Sequence, residues 1–88
     1  MANKILEKTV DLMLSDDYEL RFIAEYRQAV NRRNRLKKVI AAAKKGELDF
    51  TLMSPIDLLE RQCSAMTAYI SAMKERAEIE HINLSYRG

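Results

Sequence analysis

Eight basic residues and no acidic residue lie between positions 27 and 45. Like charges three or four positions apart on a helix repel one another by about a few tenths of a kcal/mol, and a bound anion relieves that repulsion. The run therefore indicates a polyanionic ligand. The alternative is a solvated face balanced by acids on a partner helix or a neighbouring subunit. The bases are Arg27, Arg32, Arg33, Arg35, Lys37, Lys38, Lys44 and Lys45, and the candidate acids are Asp57, Glu60, Glu75, Glu78 and Glu80.

Arg33 occupies a position of the helical pattern that otherwise carries apolar side chains. A guanidinium there must find an anion or water, and its planar fork of donors suits a phosphodiester. Tyr18 and Tyr26, on the same predicted helix, offer aromatic faces to nucleobases. These residues indicate a nucleotide ligand. The alternatives are that Arg33 pairs with an acid at a subunit contact and that Tyr26 belongs to the core; for Tyr26 we favour the core.

Residues that commonly catalyse reactions are few. His81 is the only histidine and follows the predicted end of the last helix, where a cation stabilises the helix terminus. Cys63 is the only cysteine and falls on an apolar helix face, where a thiol behaves as a small hydrophobe. The sequence has no metal-ligand spacing, glycine-rich phosphate loop or Ser/His/Asp grouping. We therefore expect no enzymatic activity, no cofactor and no metal.

Helix-start and helix-stop residues mark three boundaries in the chain. Ser15 or Asp16 suits the N-cap of a helix, because a short polar side chain accepts hydrogen bonds from free amides. Gly46 follows two lysines, which is typical of a helix C-terminus. Ser54 followed by Pro55 predicts an N-cap with proline at the first helical position.

These boundaries predict helices at about 2–14, 16–45 and 55–80. The predicted domains are an N-terminal helix at 1–15, a helical hairpin at 16–81 and a C-terminal tail at 82–88, which we expect to fray. We expect the connection at 46–54 to pack over the end of the hairpin, because it contains several apolar residues. They are Leu48, Phe50, Leu52 and Met53.

Each long helix carries a heptad seam, with apolar side chains spaced alternately three and four residues apart. The short connection makes the two helices antiparallel, so the seams face each other in an αα-hairpin. One seam is Phe22, Tyr26, Ala29, Arg33, Leu36, Ile40 and Ala43. The other is Ile56, Leu59, Cys63, Met66, Ile70, Met73 and Ala77.

Composition agrees with an all-α fold. The 88 residues are 48% hydrophobic and 32% charged, with two glycines and one proline, a profile typical of a helical chain. That length suits one small domain rather than an enzyme built around a cleft between domains. A single cysteine favours a reducing compartment, so we expect a cytoplasmic protein. No stretch reaches the roughly 18 apolar residues of a membrane span.

Several apolar residues lie off the two seams and need other partners. A core of this size supplies only about 3–5 kcal/mol, so burying these residues between copies is the natural remedy. We expect an obligate homo-oligomer; the alternative is a monomeric three-helix bundle. The residues are Ile5, Leu6, Val10, Met13, Leu14, Ile23, Val30, Val39 and Tyr69.

Two segments resemble a known family. The chain is similar, over roughly residues 12–81, to the phage hairpin-domain proteins that include the anti-CBASS cyclic-oligonucleotide sponge, and its hairpin is similar to part of an anti-Thoeris sponge. The first segment is Leu14-Ser15-Asp16-Asp17-Tyr18, Arg21-Phe22 and Ala24-Glu25-Tyr26. The second is Ser54-Pro55-Ile56-Asp57-Leu58-Leu59-Glu60-Arg61-Gln62, Ala65-Met66, Tyr69-Ile70 and Glu75-Arg76-Ala77-Glu78-Ile79-Glu80.

The resemblance implies a homohexamer that encloses cyclic nucleotide second messengers, such as cyclic GMP-AMP, in the cytoplasm of the infected bacterial host. It implies that cyclic dinucleotides bind between paired subunits, contacted by an aromatic residue matched here by Tyr18. The basic residue further along the helix is matched by Arg33, or by Arg32 if the alignment shifts by one. A separate site for cyclic trinucleotides is matched only by the basic character of Lys74 and Arg76.

The resemblance therefore implies sequestration without cleavage, which prevents the messenger from activating its CBASS effector. The principal alternative is a nucleic-acid-binding or regulatory helical module that places the 27–45 basic run on backbone phosphates. We consider nucleic acid the less favoured partner. A second alternative is an adaptor whose Leu/Met-rich seam binds a helix of another protein.

Overall fold

The computed structural model describes residues 17–85, which form two α-helices. Helix α1 spans Tyr18–Lys44 and helix α2 spans Ile56–Glu80. They pack antiparallel, because Tyr18 at the start of α1 meets Glu80, while Lys44 at its end meets Glu60. The predicted all-α hairpin is confirmed. The predicted helix at 2–14 lies outside the described residues.

Helix α1 begins at an aspartate cap. Asp17 has extended backbone angles, and its Oδ1 accepts hydrogen bonds from the amides of Glu19 at 2.8 Å and Leu20 at 3.3 Å. Such a cap contributes about 1 kcal/mol. The prediction of Ser15 or Asp16 in this role is wrong, because the aspartate next along the chain accepts these bonds.

Helix α1 ends at Lys44, and the predicted stop signal, Gly46, follows the cap residue Lys45. This glycine has φ 70°, and its amide donates to the Ala43 carbonyl at 3.1 Å. The Glu47 amide donates to the Ala42 carbonyl at 2.9 Å. These two bonds make a Schellman motif, in which a left-handed residue turns the chain back so that the last carbonyls find donors.

Helix α2 begins one residue later than predicted, at Ile56. Pro55 is the cap residue, with φ −62° and ψ 150°, and no side chain makes a capping hydrogen bond. The predicted Ser54 cap is therefore wrong. Because the ψ of Pro55 is extended, its ring lies at the cap rather than within the first turn. Asp57 in that first turn complements the helix dipole.

Helix α2 ends with a second left-handed residue, His81, at φ 57° and ψ 42°. The Ile82 amide donates to the Ala77 carbonyl at 2.8 Å, and both side chains belong to one buried cluster. Backbone geometry at His81 thus closes the helix, whereas the sequence indicates capping by a cationic imidazole. Over residues 82–85 the expectation that the tail frays is wrong, because Ile82 is buried and Leu84 packs against the same cluster. Residues 86–88 of the predicted tail lie outside the described residues.

Every position of the two predicted seams is buried or half-buried, so the helix-to-helix interface is confirmed. A cluster of buried side chains lies where α1 starts and α2 ends, and we call it the core cluster. Its members are Phe22, Ile23, Met73, Ala77 and Ile82. Ile23, which we expected to need a partner outside the two seams, is therefore buried within this cluster.

The connection between the helices is less covered than predicted. Leu48 and Leu52 are half-buried, but Phe50 is exposed and Met53 is 98% exposed. The expectation that the connection packs down as a whole is therefore wrong for these two side chains. Neither described helix has the length and apolarity that crossing a lipid bilayer requires.

Candidate functional site

Tyr18, the predicted stacking residue, is the first residue of α1, directly after its aspartate cap. Its ring is about half exposed, and its centroid lies 6.2 Å from that of Phe22, with the ring planes 51° apart. The cap fixes where the backbone enters the helix, and the antiparallel packing brings this position beside the last turn of α2.

Tyr18, Arg76 and Glu80 form a closed ring of hydrogen bonds, which we call the Tyr18 network. The Tyr18 hydroxyl donates to Glu80 Oε1 at 2.7 Å and accepts from Arg76 Nη2 at 2.6 Å. Arg76 Nε donates to Glu80 Oε2 at 3.0 Å. The Arg76 guanidinium also lies 5.0 Å from the ring centroid of Phe22, within the range of a cation–π contact.

These contacts shift the protonation equilibria of the three groups. The hydrogen bond to Glu80 raises the pKa of Tyr18, because the carboxylate favours the neutral phenol that donates to it. Hydrogen bonds from Tyr18 and Arg76 lower the pKa of Glu80. The hydrogen bond to Glu80 also raises the pKa of Arg76. At neutral pH the network therefore holds one cation, one anion and a neutral phenol.

Arg33 and Arg32 lie far from this network within one copy of the chain. Fifteen residues separate Tyr18 from Arg33 on one helix, a rise of roughly 22 Å at about 1.5 Å per residue. Arg33 is half-buried in the seam, and its Nε donates to the neutral side chain of Asn34 at 3.3 Å. Arg32 is exposed. A single copy thus does not bring the predicted aromatic and basic residues together.

The other predicted binding residues separate into two kinds. Tyr26 is half-buried and packs against the core cluster, as the favoured interpretation of this residue has it. Lys74 is exposed two residues before Arg76 on α2, and Arg76 is within the network. The structure therefore joins Tyr18 and Arg76, which the family resemblance assigns to two separate ligands.

The basic run on α1 is largely without acidic partners. Within residues 17–85, one of its eight bases makes an ion pair: Lys44 Nζ lies 3.3 Å from Glu60 Oε2. Within a single copy, acidic residues of α2 therefore balance the charge of one base of the run, Lys44. The remaining bases keep their charge available to an anion.

Two shallow grooves flank these features. One, of about 350 Å³, is lined by Tyr18, Arg21, Phe22 and Glu25 beside the network. The other, of about 430 Å³, lies between the helices near the connection and includes Lys37, Lys44 and Cys63 in its lining. Among the described residues, no group of three or more His, Cys, Asp or Glu side chains is placed to hold a metal ion.

Sequence reasoning missed the role of Glu80, which it counts only as a possible balance for the basic run. One signal was present, since Arg76 and Glu80 are four residues apart and so share a helix face. Their contact with Tyr18, 62 residues from Glu80 along the chain, has no local signal.

Comparison with known proteins adds a family to this geometry. The family model described as Sequestin matches residues 16–79, which include both helices except the last residue of α2. No curated protein and no solved structure matches the chain. The family's name denotes sequestration, which implies binding rather than catalysis. Since the match covers most of its length, the chain belongs to the Sequestin family.

Proposed function

We propose that this protein is a phage anti-defence protein that binds cyclic dinucleotide second messengers and sequesters them without cleavage. Removing the messenger from solution would keep CBASS effectors inactive in the infected cell. Membership of a family named for sequestration supports the general role. The cyclic dinucleotide ligand is supported by the chemistry of Tyr18 and of the basic run.

The state of Arg33 is the observation that carries the proposal. Arg33 is half-buried as a residue on the helix-to-helix seam, and its Nε donates to the neutral amide side chain of Asn34. A partly desolvated cation gains strongly from an anion, and a phosphodiester fits the planar fork of an arginine. Arg32, which is exposed next to Arg33 on the same helix, adds attraction for the second phosphate.

Stacking and phosphate contacts on one ligand require more than one copy of the chain. Tyr18 and Arg33 are too far apart on a straight helix to grip one small ring. A second copy lying alongside can place its own Arg33 next to the Tyr18 of the first. Assembly, for which the resemblance suggests a homohexamer, would then create the site and bury the apolar groups that a lone hairpin leaves exposed.

Sequestration demands tight binding. To compete with a receptor, the protein must bind its ligand with a dissociation constant that is nanomolar or lower, which corresponds to a binding free energy of about −12 kcal/mol. Charge-assisted bidentate pairs and base stacking in a preformed interface reach that value. A cyclic trinucleotide site involving Lys74 and Arg76 stays a proposal of lesser support, because Arg76 already bonds Tyr18 and Glu80.

Native mass spectrometry of the protein mixed with a panel of cyclic oligonucleotides tests the proposal, since it reports subunit number and bound mass together. We expect an oligomer that retains intact cyclic dinucleotide. Arg33→Ala and Tyr18→Ala should remain oligomeric and lose the ligand in calorimetry. Arg35→Ala removes the same charge from an exposed position outside the seam, and it should bind normally. Unchanged binding by Arg33→Ala would contradict the proposed site.

A nucleic-acid-binding role is the second candidate, favoured by the seven bases of the run that make no ion pair within residues 17–85. Duplex binding to these bases should weaken steeply and continuously with salt. A pocket should instead retain cyclic dinucleotides at moderate salt. Tight duplex binding with this salt dependence, and no retention of cyclic dinucleotides, would establish the alternative.

A further inference from the structure

Tyr18 presents a half-exposed aromatic ring at the first position of a helix. A side chain that is free in the unbound protein must be ordered when a base stacks on it. That ordering weakens binding, whereas a ring held in place beforehand avoids the loss. What holds the ring therefore affects how tightly it binds.

Two charged side chains of α2 hold the Tyr18 hydroxyl from both sides. It donates to Glu80 at 2.7 Å and accepts from Arg76 at 2.6 Å, so both hydrogen-bonding roles of the oxygen are in use. Because the hydroxyl is at the far end of the ring from the backbone, fixing its position restrains the first side-chain torsion. The O–H bond of a phenol prefers the plane of the ring, so the direction of the bond to Glu80 also restrains rotation of the ring about its long axis. Neither of these hydrogen bonds uses a face of the ring.

Arg76 and Glu80 are held in place by contacts that do not involve Tyr18. Arg76 and Glu80 bond one another at 3.0 Å across one helical turn, and the guanidinium lies 5.0 Å from the centroid of Phe22. Phe22 belongs to the core cluster and is buried. Arg76, which bonds the phenol, is thus in contact with the buried core cluster.

Charge separates this arrangement from a phosphate site. The Arg76 charge is balanced by Glu80, and guanidinium donors already serve Glu80 and Tyr18. We infer that Arg76 and Glu80 are positioning residues, which hold the Tyr18 ring in one orientation so that it can stack on a nucleobase of the ligand. The inference rests on the proposed function for its ligand, while the restraint on the ring is a property of the free protein.

Affinity measurements test the inference with conservative changes. Tyr18→Phe keeps the ring and removes its hydroxyl, so cyclic dinucleotide binding should weaken roughly two- to tenfold by calorimetry, the effect of ordering one side chain. Glu80→Ala should do the same. Tyr69→Phe is the matched control, because Tyr69 is equally exposed and its hydroxyl donates to the carboxylate of Glu25. It should bind as the unmodified protein does.

A second measurement needs no ligand. In a ¹³C NMR titration of ring-labelled tyrosine, the pKa of Tyr18 should fall in Glu80→Ala, because the hydrogen bond that raises it is lost. Glu78→Ala removes an exposed acid from the same turn and should leave that pKa unchanged.

Each other result overturns a particular step. An unchanged pKa of Tyr18 in Glu80→Ala would show that Tyr18 and Glu80 are not hydrogen-bonded in solution. If the pKa of Tyr18 shifts in Glu80→Ala but neither Glu80→Ala nor Tyr18→Phe changes the affinity for the ligand, Arg76 and Glu80 have no positioning role. Loss of binding in Arg76→Met as complete as in Tyr18→Ala would make Arg76 a direct ligand. If the unmodified protein binds no cyclic dinucleotide, the proposed function fails and the stacking role with it, even where the titration reports the contact.

Discussion

The two ends of the hairpin are built differently. At the Tyr18 end, where α1 starts and α2 ends, a buried core cluster supports a network of three hydrogen bonds. At the connection end, Lys44 and Glu60 form one ion pair, and Phe50 and Met53 are exposed. The comparison teaches that buried side chains and a fixed polar arrangement are concentrated at the end that carries the candidate stacking residue. The other end has mostly half-buried seam residues and one exposed ion pair.

Truncating one methionine at each end gives the largest contrast. Met73 is 2% exposed and Met53 is 98% exposed. Met73→Ala should lower the free energy of unfolding by about 2–5 kcal/mol, because it leaves a cavity in the core cluster. Met53→Ala should change it by less than about 0.5 kcal/mol. Urea unfolding of both variants measures the difference, and similar losses would show that the ends are equally packed.

The segment after α2 allows a test with two isoleucines. Ile82→Ala should cost about 2–4 kcal/mol, because its side chain is buried beside Ala77. Ile79, at 77% exposed, is the matched control, and Ile79→Ala should change stability little within a single copy. Thermal unfolding at low protein concentration gives both values. A negligible effect of Ile82→Ala would mean that the chain after α2 does not contribute to the core.

Helix starts provide a smaller contrast. Asp17→Ala should destabilise the protein by about 1 kcal/mol, because two amides of the first turn lose their acceptor. Ser54→Ala should have almost no effect, since no side chain caps α2. Denaturant midpoints distinguish the two variants. An equal loss of stability in Ser54→Ala would show that Ser54 caps α2, as the sequence predicts.

Acidification should affect the Tyr18 network through Glu80. Its pKa is lowered from an ordinary value near 4.5, so its contribution to stability is present above that value and is lost as the pH falls through the lowered pKa. The contribution is small because the pair is exposed. In unfolding experiments between about pH 6 and pH 2, Glu80→Gln should show a shallower pH dependence than the unmodified protein. Glu78→Gln, which removes an exposed acid two residues away on the same helix, serves as the control.

Much of the fold follows from local patterns. The two seams and the stop at Gly46 are repeated or local signals, and each helix boundary is within two residues of its predicted place. The errors concern caps and ends. Neighbouring polar residues compete for the same amides at the start of α1, and at the end of α2 a histidine takes the left-handed conformation that usually marks a glycine.

The candidate site was less predictable. Tyr18 and Arg33 were identified from residue type and from resemblance, and their roles stay predictions. Glu80 was not singled out, because a glutamate near the end of a charged helix is common and its significance depends on what lies opposite. Nothing within α2 indicates that a tyrosine hydroxyl from the start of α1 lies there.

The sequence by itself determined that the chain forms two long helices and which face of each is apolar, because a helical period repeats within one element and can be counted. The tertiary structure alone decided that Tyr18 meets Arg76 and Glu80. That meeting depends on the register of two antiparallel helices, and a slide of one turn displaces the partners by about 5.4 Å, beyond hydrogen-bonding distance.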